Sequence, residues 1–256
     1  MDSLADFGFD AKRCSPEDLV KWLDCRVEEI LREVENSEVW TAVVGFQAPP
    51  GLVQEILKEV YLEIAMYQPD SIEAAIASIA QFPRTMPIAW FDEMLHHQVE
   101  EFDHGEMALR DYIALGGKEI EARQRVQSPS AFAVAAIWRN ITHKRDPFVY
   151  LGAVYLFDAL TPIVTAKAKS ALRSRLGGNA KGMEFISHHA TADIEHAATI
   201  RRLIVDVATA NPGKIEALAY GFEYFAHVYP LPVWNSALRR AKRRVNAAYK
   251  TAVPVN

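Results

Sequence analysis

The sequence predicts an all-α protein, a compact helical bundle of about eight or nine helices in which residues 1–256 form a single domain. Glycine is sparse, with 12 residues in 256, and lies mainly at helix breaks, whereas Ala, Leu, Glu and Arg fill the long segments. The sequence has no strand-like alternation of useful length. Half of the residues are hydrophobic, which is enough for one sizeable core at a length near which single cores stop growing.

Capping residues and prolines define the helices of the N-terminal half. Ser15-Pro16-Glu17-Asp18 combines a capping serine, a proline at the first helical position and an acidic first turn, and it predicts a helix that runs to about residue 36. Gln47-Ala-Pro-Pro-Gly51 predicts a loop. Amphipathic helices are then predicted over residues 52–67 and 70–81.

Glycine pairs and prolines also delimit the later helices. The pattern that begins at Ile88 predicts one continuous helix to Leu115, ended by Gly116-Gly117. Three further helices are predicted over residues 129–141, 146–176 and 180–210. The second of them ends at Gly177-Gly178 and the third at Asn211-Pro212-Gly213. A last helical segment begins near residue 214 and is interrupted at Pro230 and Pro232.

Composition argues against several classes of protein. Lys and Arg total 28 against 33 Asp and Glu, whereas a nucleic-acid binder normally shows a basic excess. The six basic residues between Arg239 and Lys250 are interpreted as a solvated face of the last helix. Two cysteines, Cys14 and Cys25, form neither a disulfide framework nor a zinc motif. Because no secretory signal and no run of ~18 apolar residues occurs, we expect a cytoplasmic protein without a membrane partner, and a homodimer stays open.

The first metal-competent motif lies on the predicted helix over residues 88–115. Glu101 and His104 are three residues apart, which places them about 60° apart on one face of a helix. A carboxylate and an imidazole at this spacing can chelate one ion, and the Glu-x-x-His pair recurs in di-iron helix bundles. Taken alone the pair is a weak signal, because such pairs also arise by chance on exposed faces.

The second motif is His189-x-x-x-Asp193-x-x-His196. Offsets of four and three residues place all three side chains within about 60° of arc on one helix face. Two imidazoles and a carboxylate form a mixed N/O set that suits iron, with manganese or zinc as other options. An exposed histidine-rich helix is the alternative, but small and apolar residues that favour close packing surround the motif: Ala190, Ala192, Ala197, Ala198 and Ile200.

A third carboxylate, Asp158, stands in a strongly apolar helix. It is the only acidic residue between Asp146 and Glu184. A carboxylate buried in such a run is costly unless it is paired or binds a cation. We therefore expect Asp158 to be a bridging ligand between the other two motifs, with a solvent-facing aspartate as the alternative. Pro162 removes the hydrogen bond to the carbonyl of residue 158 and is expected to kink the helix there.

The order and spacing of these motifs resemble the heme-oxygenase-like di-iron oxidases and oxygenases. The resemblance rests on Glu101-x-x-His104, on the carboxylate of Asp158 in an apolar helix, and on the triplet that begins at His189, and it spans about residues 90–210. Members of this family make terminal alkenes from fatty acids, cleave or N-oxygenate amino acids, or produce a p-aminobenzoate precursor.

The resemblance implies a heme-oxygenase-like fold, two iron ions cycling between Fe(II) and Fe(III), and O₂ as co-substrate. Heme is not implied. The implied substrate is a small molecule, a fatty acid or an amino acid, in a biosynthetic pathway. The implied metal ligands are Glu101, His104, Asp158, His189, Asp193 and His196.

This chain departs from the family pattern at two positions. The middle ligand is usually Glu and here is Asp158, which is one methylene shorter. One branch of the family has its first carboxylate seven residues before the first ligand histidine, where this chain has His97. We expect His97 to support the ligands by a hydrogen bond, with ligation as the alternative. Tyr155, one turn before Asp158, is expected either to donate a hydrogen bond to it or to be a core tyrosine.

Two other functions stay open at this point. A ferritin-like metal-binding protein would use Glu63 together with Glu101, His104, Asp158, Asp193 and His196, but that pattern leaves His189 unexplained. A metal-free relative of the same fold, thiaminase-like or a cofactorless oxidase, would make the six metal-competent residues an accident. A thiaminase would also need a nucleophilic cysteine in its pocket.

Overall fold

The computed structural model describes residues 4–144, 146–177 and 180–252, and every regular element within them is helical. The α-helices of the N-terminal half are α1 (Pro16–Glu35), α2 (Glu38–Val43), α3 (Pro50–Ile79), α4 (Ile88–Glu101), α5 (His104–Ala114) and α6 (Glu119–Arg123). Those of the C-terminal half are α7 (Pro129–Lys144), α8 (Val149–Leu176), α9 (Glu184–His189), α10 (Asp193–Ala210), α11 (Ile215–Ala226) and α12 (Leu231–Ala252). Short 3-10 helices cover Ala5–Phe7 and Pro212–Lys214.

The all-helical prediction is confirmed, but the described residues contain twelve α-helices instead of eight or nine. Three of them, α2, α6 and α9, have only five or six residues. Segments this short do not complete two helical turns, so hydrophobic periodicity cannot reveal them. The predicted interruption is confirmed at Pro230, since α11 ends at Ala226 and α12 begins at Leu231, but Pro232 lies in the first turn of α12. Gly178, part of a predicted helix stop, lies outside the described residues.

The helices predicted over residues 52–67 and 70–81 are in fact one helix, α3, with Pro69 inside it. A proline in a helix interior removes one backbone hydrogen bond. Tyr67, Gln68, Ser71 and Ile72 are all buried around it. Tertiary packing therefore holds the helix together across the proline, and α3 runs unbroken through the core.

Two long helices, α3 and α8, form the centre of the bundle. Helix α3 packs against α5, α7 and α12, and α8 packs against α10 and α11. Helix α8 is long and apolar enough to cross a membrane, but 78% of its most apolar window is buried inside the protein, as in the core helix of a soluble protein. Helix α8 also continues through Pro162 to Leu176.

Helices α8 and α11 cross at backbone contact. A Cβ atom added to Gly152 of α8 would lie 1.8 Å from the carbonyl oxygen of Leu218. A Cβ added to Gly221 of α11 would lie 1.9 Å from the carbonyl oxygen of Val149. Only glycine permits this approach, and the crossing lies between one and two turns before Asp158 on α8.

Candidate metal centre

The first predicted motif lies at a helix break. Helix α4 ends at Glu101 and α5 begins at His104, so the prediction of one helix over residues 88–115 is wrong. The two side chains are in direct contact, with Glu101 Oε2 only 2.6 Å from His104 Nδ1. Close packing of α5 on α3 accompanies the break, because a Cβ added to Gly105 would lie 3.3 Å from the Cβ of Gln68.

The second motif also spans a break. His189 is the last residue of α9 and Asp193 the first of α10, so the triplet does not lie on one continuous helix as predicted. The chain turns between them because the carbonyl of His188 accepts hydrogen bonds from the backbone N–H groups of Thr191 and Ala192, each at 3.1 Å. The backbone N–H groups at the start of α9 are capped from outside by Asp111 of α5, at 3.0 and 2.8 Å.

Glu101, His104 and His189 form the inner cluster. His189 Nε2 lies 3.1 Å from His104 Nδ1, and all three side chains are buried. The other ring nitrogen of His189, Nδ1, donates a hydrogen bond to the carbonyl of Phe185 at 2.8 Å. That bond leaves the lone pair of Nε2 directed into the cluster, which is the usual arrangement of a metal-binding histidine.

His97, Asp158, Asp193 and His196 form the outer cluster. His97 Nε2 lies 3.2 Å from Asp158 Oδ2. His196 Nδ1 lies 3.8 Å from Asp193 Oδ1 and 3.3 Å from Glu101 Oε1. Donor atoms of His97, Asp158 and His196 lie within 4.8 Å of one another, and so do those of Glu101, Asp193 and His196. The structure thus brings all six predicted ligands together, and His97 with them.

The outer cluster is not satisfied by its own hydrogen bonds. Among the described residues, five buried side-chain N or O atoms lack a hydrogen-bond partner, and four of them are in this cluster: His97 Nε2, Asp158 Oδ2, Asp193 Oδ1 and His196 Nδ1. Buried polar atoms are ordinarily paired, because each unpaired group costs about 1–3 kcal/mol. Four converging unpaired N and O atoms are what a cation would satisfy, and the donor set suits iron.

Glu101, not Asp158, stands between the two clusters. Its Oε2 atom faces His104 at 2.6 Å, and its Oε1 atom faces His196 at 3.3 Å and His97 at 3.9 Å. Asp158 lies beside His97, with Oδ2 3.2 Å from its Nε2 atom. Glu101 is thus the carboxylate that contacts histidines of both clusters. Bridging by Asp158 stays a prediction.

Burial and the neighbouring charges both shift the pKa values of the site residues. Burial, with the negative charges of Asp158 and Glu101, raises the pKa of Asp193 to about 9. Burial lowers the pKa of His189 to about 3. For His196 burial opposes the charged form, but the carboxylate of Glu101, 3.3 Å from Nδ1, and the negative charge of Asp158 prevail and raise its pKa to about 9. Without a metal ion, protons on Asp193 and His196 thus offset part of the converging negative charge.

Two residues that support His97 escape the sequence analysis, and of the two expectations for Tyr155 the buried core tyrosine is confirmed. The Tyr155 hydroxyl donates to Asp24 and not to the cluster, so its expected bond to Asp158 is absent. Instead, Gln98 Nε2 lies 2.8 Å from both His97 Nδ1 and the hydroxyl of Tyr150. Tyr150 precedes Asp158 by eight residues, about 80° around a helix, and that spacing could have identified it.

Glu63, the additional ligand that a ferritin-like site would need, lies outside both clusters. Glu63 is fully buried and bonds Arg240, Ser128 and Ser130 instead of joining the clusters. The ferritin-like pattern that needed Glu63 as a ligand is therefore not formed.

An apolar cavity lies beside Phe185, and none of the cluster residues is among the described residues that line it. Phe185 lines it and stacks on the ring of His189, with centroids 3.8 Å apart. Phe157, next to Asp158 in the sequence, lines both this cavity and a smaller one that contains His97, Glu101 and Asp158. The remaining wall is nearly all apolar and includes Trp40, Ile56, Leu57, Val60, Ile64, Val164, Ile186 and Trp234. No lysine, arginine or carboxylate is among its lining residues in the described part of the chain.

Comparison with solved structures identifies the fold. A domain of unknown function with a heme oxygenase-like fold from Shewanella denitrificans OS217 superposes with a TM-score of 0.67, at 17% identity, over 88% of this chain and 93% of that one. A TenA homologue from P. horikoshii OT3 gives a TM-score of 0.62 at 12% identity, over 86% and 98%. A TenA homologue from Pseudomonas syringae pv. tomato DC3000 gives 0.61 at 13% identity, over 92% and 96%.

Sequence comparison identifies the family. A curated relative, the 4-aminobenzoate synthase of Chlamydia pneumoniae, is 23% identical over 125 residues, which span 48% of this chain and 56% of that protein's length. The sequence pattern of the family described as "iron-containing redox enzyme" matches residues 72–229, more than half of the chain and the whole of both clusters. This chain therefore belongs to the heme-oxygenase-like family of iron-containing redox enzymes.

Proposed function

We propose that this protein is a non-heme di-iron oxidase or oxygenase that uses O₂ to oxidise a small substrate in a biosynthetic pathway. The observation that carries the proposal is the pair of buried clusters on either side of Glu101, with four donor atoms that lack a hydrogen-bond partner among the described residues. Bound iron would supply the redox chemistry with O₂, and the chain supplies ligands, a water-poor site and substrate orientation.

The ligand sets of the two clusters favour the binding of two metal ions over the binding of one. Glu101 Oε2, His104 and His189 would hold one ion, and Glu101 Oε1, Asp158, Asp193 and His196 the other. Each set mixes imidazole with carboxylate, a combination that suits Fe(II). Because the two oxygens of Glu101 face different histidines, one carboxylate can serve both ions.

The cavity favours a fatty acid over an amino acid as substrate. An acyl chain would bury its methylene groups against the apolar wall, at about 0.8 kcal/mol for each group. The ammonium group of an amino acid would find no carboxylate among the residues that line the cavity in the described part of the chain. A substrate carboxylate would have the metal ions as its counter-charge, at the end where Phe185 and Phe157 adjoin the clusters.

A thiaminase-like function, the alternative on the same fold, has less support. The TenA homologues are 12–13% identical and indicate the fold alone. Such an activity needs a nucleophilic cysteine in the pocket, and neither Cys14 nor Cys25 lines the cavity. Burial, with the charges of Asp18 and Asp10, raises the pKa of Cys14 to about 11, so its reactive thiolate is scarce at neutral pH.

Iron binding is the decisive test. We expect anaerobic reconstitution with Fe(II) to load two ions per chain, and mixing with O₂ to give a transient visible absorption. His104→Ala and His189→Ala should each lower the iron content, because each removes an imidazole that no neighbour replaces. His96→Ala, which removes an exposed imidazole outside the clusters, is the matched control. Wild-type iron loading and O₂ reactivity in both cluster variants would refute the proposal.

Substrate class can be tested on the loaded protein by substrate-dependent O₂ consumption. Saturated fatty acids of increasing length should accelerate O₂ consumption more than apolar amino acids do. Ala168→Leu narrows the cavity wall and should shift the preferred chain to a shorter one without changing iron content. A preference for amino acids, unaltered by Ala168→Leu, would contradict the fatty-acid assignment while leaving the iron chemistry intact.

A further inference from the structure

The two ring nitrogens of His196 face opposite environments. Its Nδ1 atom is buried, has no hydrogen-bond partner and points into the outer cluster, 3.3 Å from Glu101 Oε1. Its Nε2 atom points outward and lies 3.0 Å from Glu100 Oε2. Glu100 precedes Glu101 on α4, and its side chain is 46% exposed. One histidine therefore joins the buried cluster to a carboxylate at the surface.

This contact determines which nitrogen of His196 is free to bind a metal ion. A neutral imidazole carries a proton on one nitrogen and a lone pair on the other. Donation of Nε2–H to Glu100 leaves the lone pair on Nδ1, and hydrogen bonding of the outer nitrogen to a carboxylate is how many metal-bound histidines are oriented. The carboxylate also makes the imidazole a stronger ligand.

His189 is oriented in the opposite sense. Its Nδ1–H donates to the backbone carbonyl of Phe185, and its Nε2 faces the cluster. A side-chain substitution at Phe185 leaves that carbonyl in place, whereas the partner of His196 is a replaceable side chain. His196 is also less buried than the other five predicted ligands, with 11% of its side chain exposed. Packing constrains its ring less, so its orientation depends more on Glu100.

We propose that Glu100 is a positioning residue that holds His196 as an Nδ1 ligand of the outer metal ion. The inference rests on the proposed function, since it takes the outer cluster to bind iron. Glu100 itself does not touch the ion, and it acts only through His196. His96 Nε2, at 3.5 Å from Glu100 Oε1, is a second exposed contact of the same carboxylate.

The test is a series of substitutions at Glu100 with iron affinity as the readout. Glu100→Ala should weaken binding of the second Fe(II) about 10- to 100-fold in a chelator competition, the usual effect of removing such a partner. Glu100→Gln should recover part of the loss, because its amide oxygen can accept the same N–H without a charge. Glu195→Ala, an exposed carboxylate next to His196 in the sequence, is the matched control.

A double-mutant cycle separates positioning from other roles. In the His196→Ala background, Glu100→Ala should have no further effect on iron affinity, because its only route to the ion is gone. The visible absorption of the Co(II)-loaded protein should change in Glu100→Ala and remain unchanged in Glu195→Ala. An equal loss in both backgrounds would mean that Glu100 acts without His196 and would overturn the inference.

Failure of the inference is distinguishable from failure of the proposed function. Wild-type affinity in Glu100→Ala with weakened binding in His196→Ala overturns only the role of Glu100. Wild-type affinity in His196→Ala removes the histidine from the ligand set, and the proposed outer site with it.

Discussion

At the residue scale, Asp158 is where burial and charge conflict most directly. Its side chain is 2% exposed, its Oδ2 atom has no hydrogen-bond partner, and this atom lies 3.2 Å from His97 Nε2. Asp193, a second carboxylate of the same cluster, is also buried, and its pKa is raised by burial and by the charge of Asp158. A carboxylate in this position costs stability unless a cation neutralises it.

Asp158→Asn should therefore separate metal binding from folding. We expect the metal-free variant to be as stable as the wild type or more stable, because the change removes charge where carboxylates converge. Binding of the outer iron should weaken, since an amide is a poor anionic ligand. Thermal unfolding of the metal-free protein and iron titration measure the two effects. A destabilised metal-free variant with wild-type iron content would make Asp158 a structural residue and favour a mononuclear site.

The chemistry of individual residues can be predicted from the sequence, but the division of roles between them cannot. A lone carboxylate in an apolar helix is enough to predict that Asp158 is buried with a charged partner, and it lies among other side chains that could bind a metal ion. The sequence does not predict that the two oxygens of Glu101 face different histidines, because that depends on the chain direction after residue 101. Tyr155 illustrates the same limit, since helix spacing places it near Asp158 but its hydroxyl reaches Asp24.

At the element scale, the site depends on where helices stop and where they cross. The breaks at residues 102–103 and 190–192 contain no glycine or proline, so no local signal marks them. Pro69, which carries such a signal, lies inside α3. In each case tertiary contacts determine whether the helix ends or continues, for example the capping of α9 by Asp111 of α5. Such contacts cannot be read from the pattern of a single sequence.

The crossing of α8 and α11 gives an element-scale prediction. Gly152→Ala and Gly221→Ala should each lower the free energy of unfolding by at least about 2–3 kcal/mol, although alanine is the better helix former, because each new Cβ would overlap a backbone carbonyl. Chemical denaturation measures the loss. Gly51→Ala in the first turn of α3 is the control, since its Cβ would meet nothing within 4 Å, and it should be neutral or slightly stabilising. If both crossing variants had the wild-type free energy of unfolding, the two helices could move apart without cost.

At the scale of the whole molecule, the metal clusters and the cavity draw on different parts of the chain. Every cluster residue lies within the family match at residues 72–229. The cavity wall also takes residues from α2, the first half of α3 and α12, such as Trp40, Ile56 and Trp234, which lie outside that match. We therefore expect the iron chemistry to be the shared property of the family, and the substrate to be selected by helices that flank it.

Iron binding should couple the stability of the whole molecule to pH. In the metal-free protein the folded-state pKa values of Asp193 and His196 are both raised to about 9, from 3.8 and 6.5. Between about pH 6.5 and 9 the folded state therefore binds more protons than the unfolded state, and the metal-free protein loses stability as pH rises. Iron needs both ligands deprotonated, so its binding releases protons and tightens over the same range.

The stabilisation by iron should consequently grow with pH. A ligand that binds only the folded state raises its stability in proportion to the logarithm of its affinity. We expect the difference in Tm between Fe(II)-loaded and metal-free protein, measured anaerobically, to be larger near pH 8.5 than near pH 6.5. Asp193→Asn removes one of the two released protons and should flatten this dependence. A Tm difference that is independent of pH, with no proton release on iron addition, would show that Asp193 and His196 do not bind the metal.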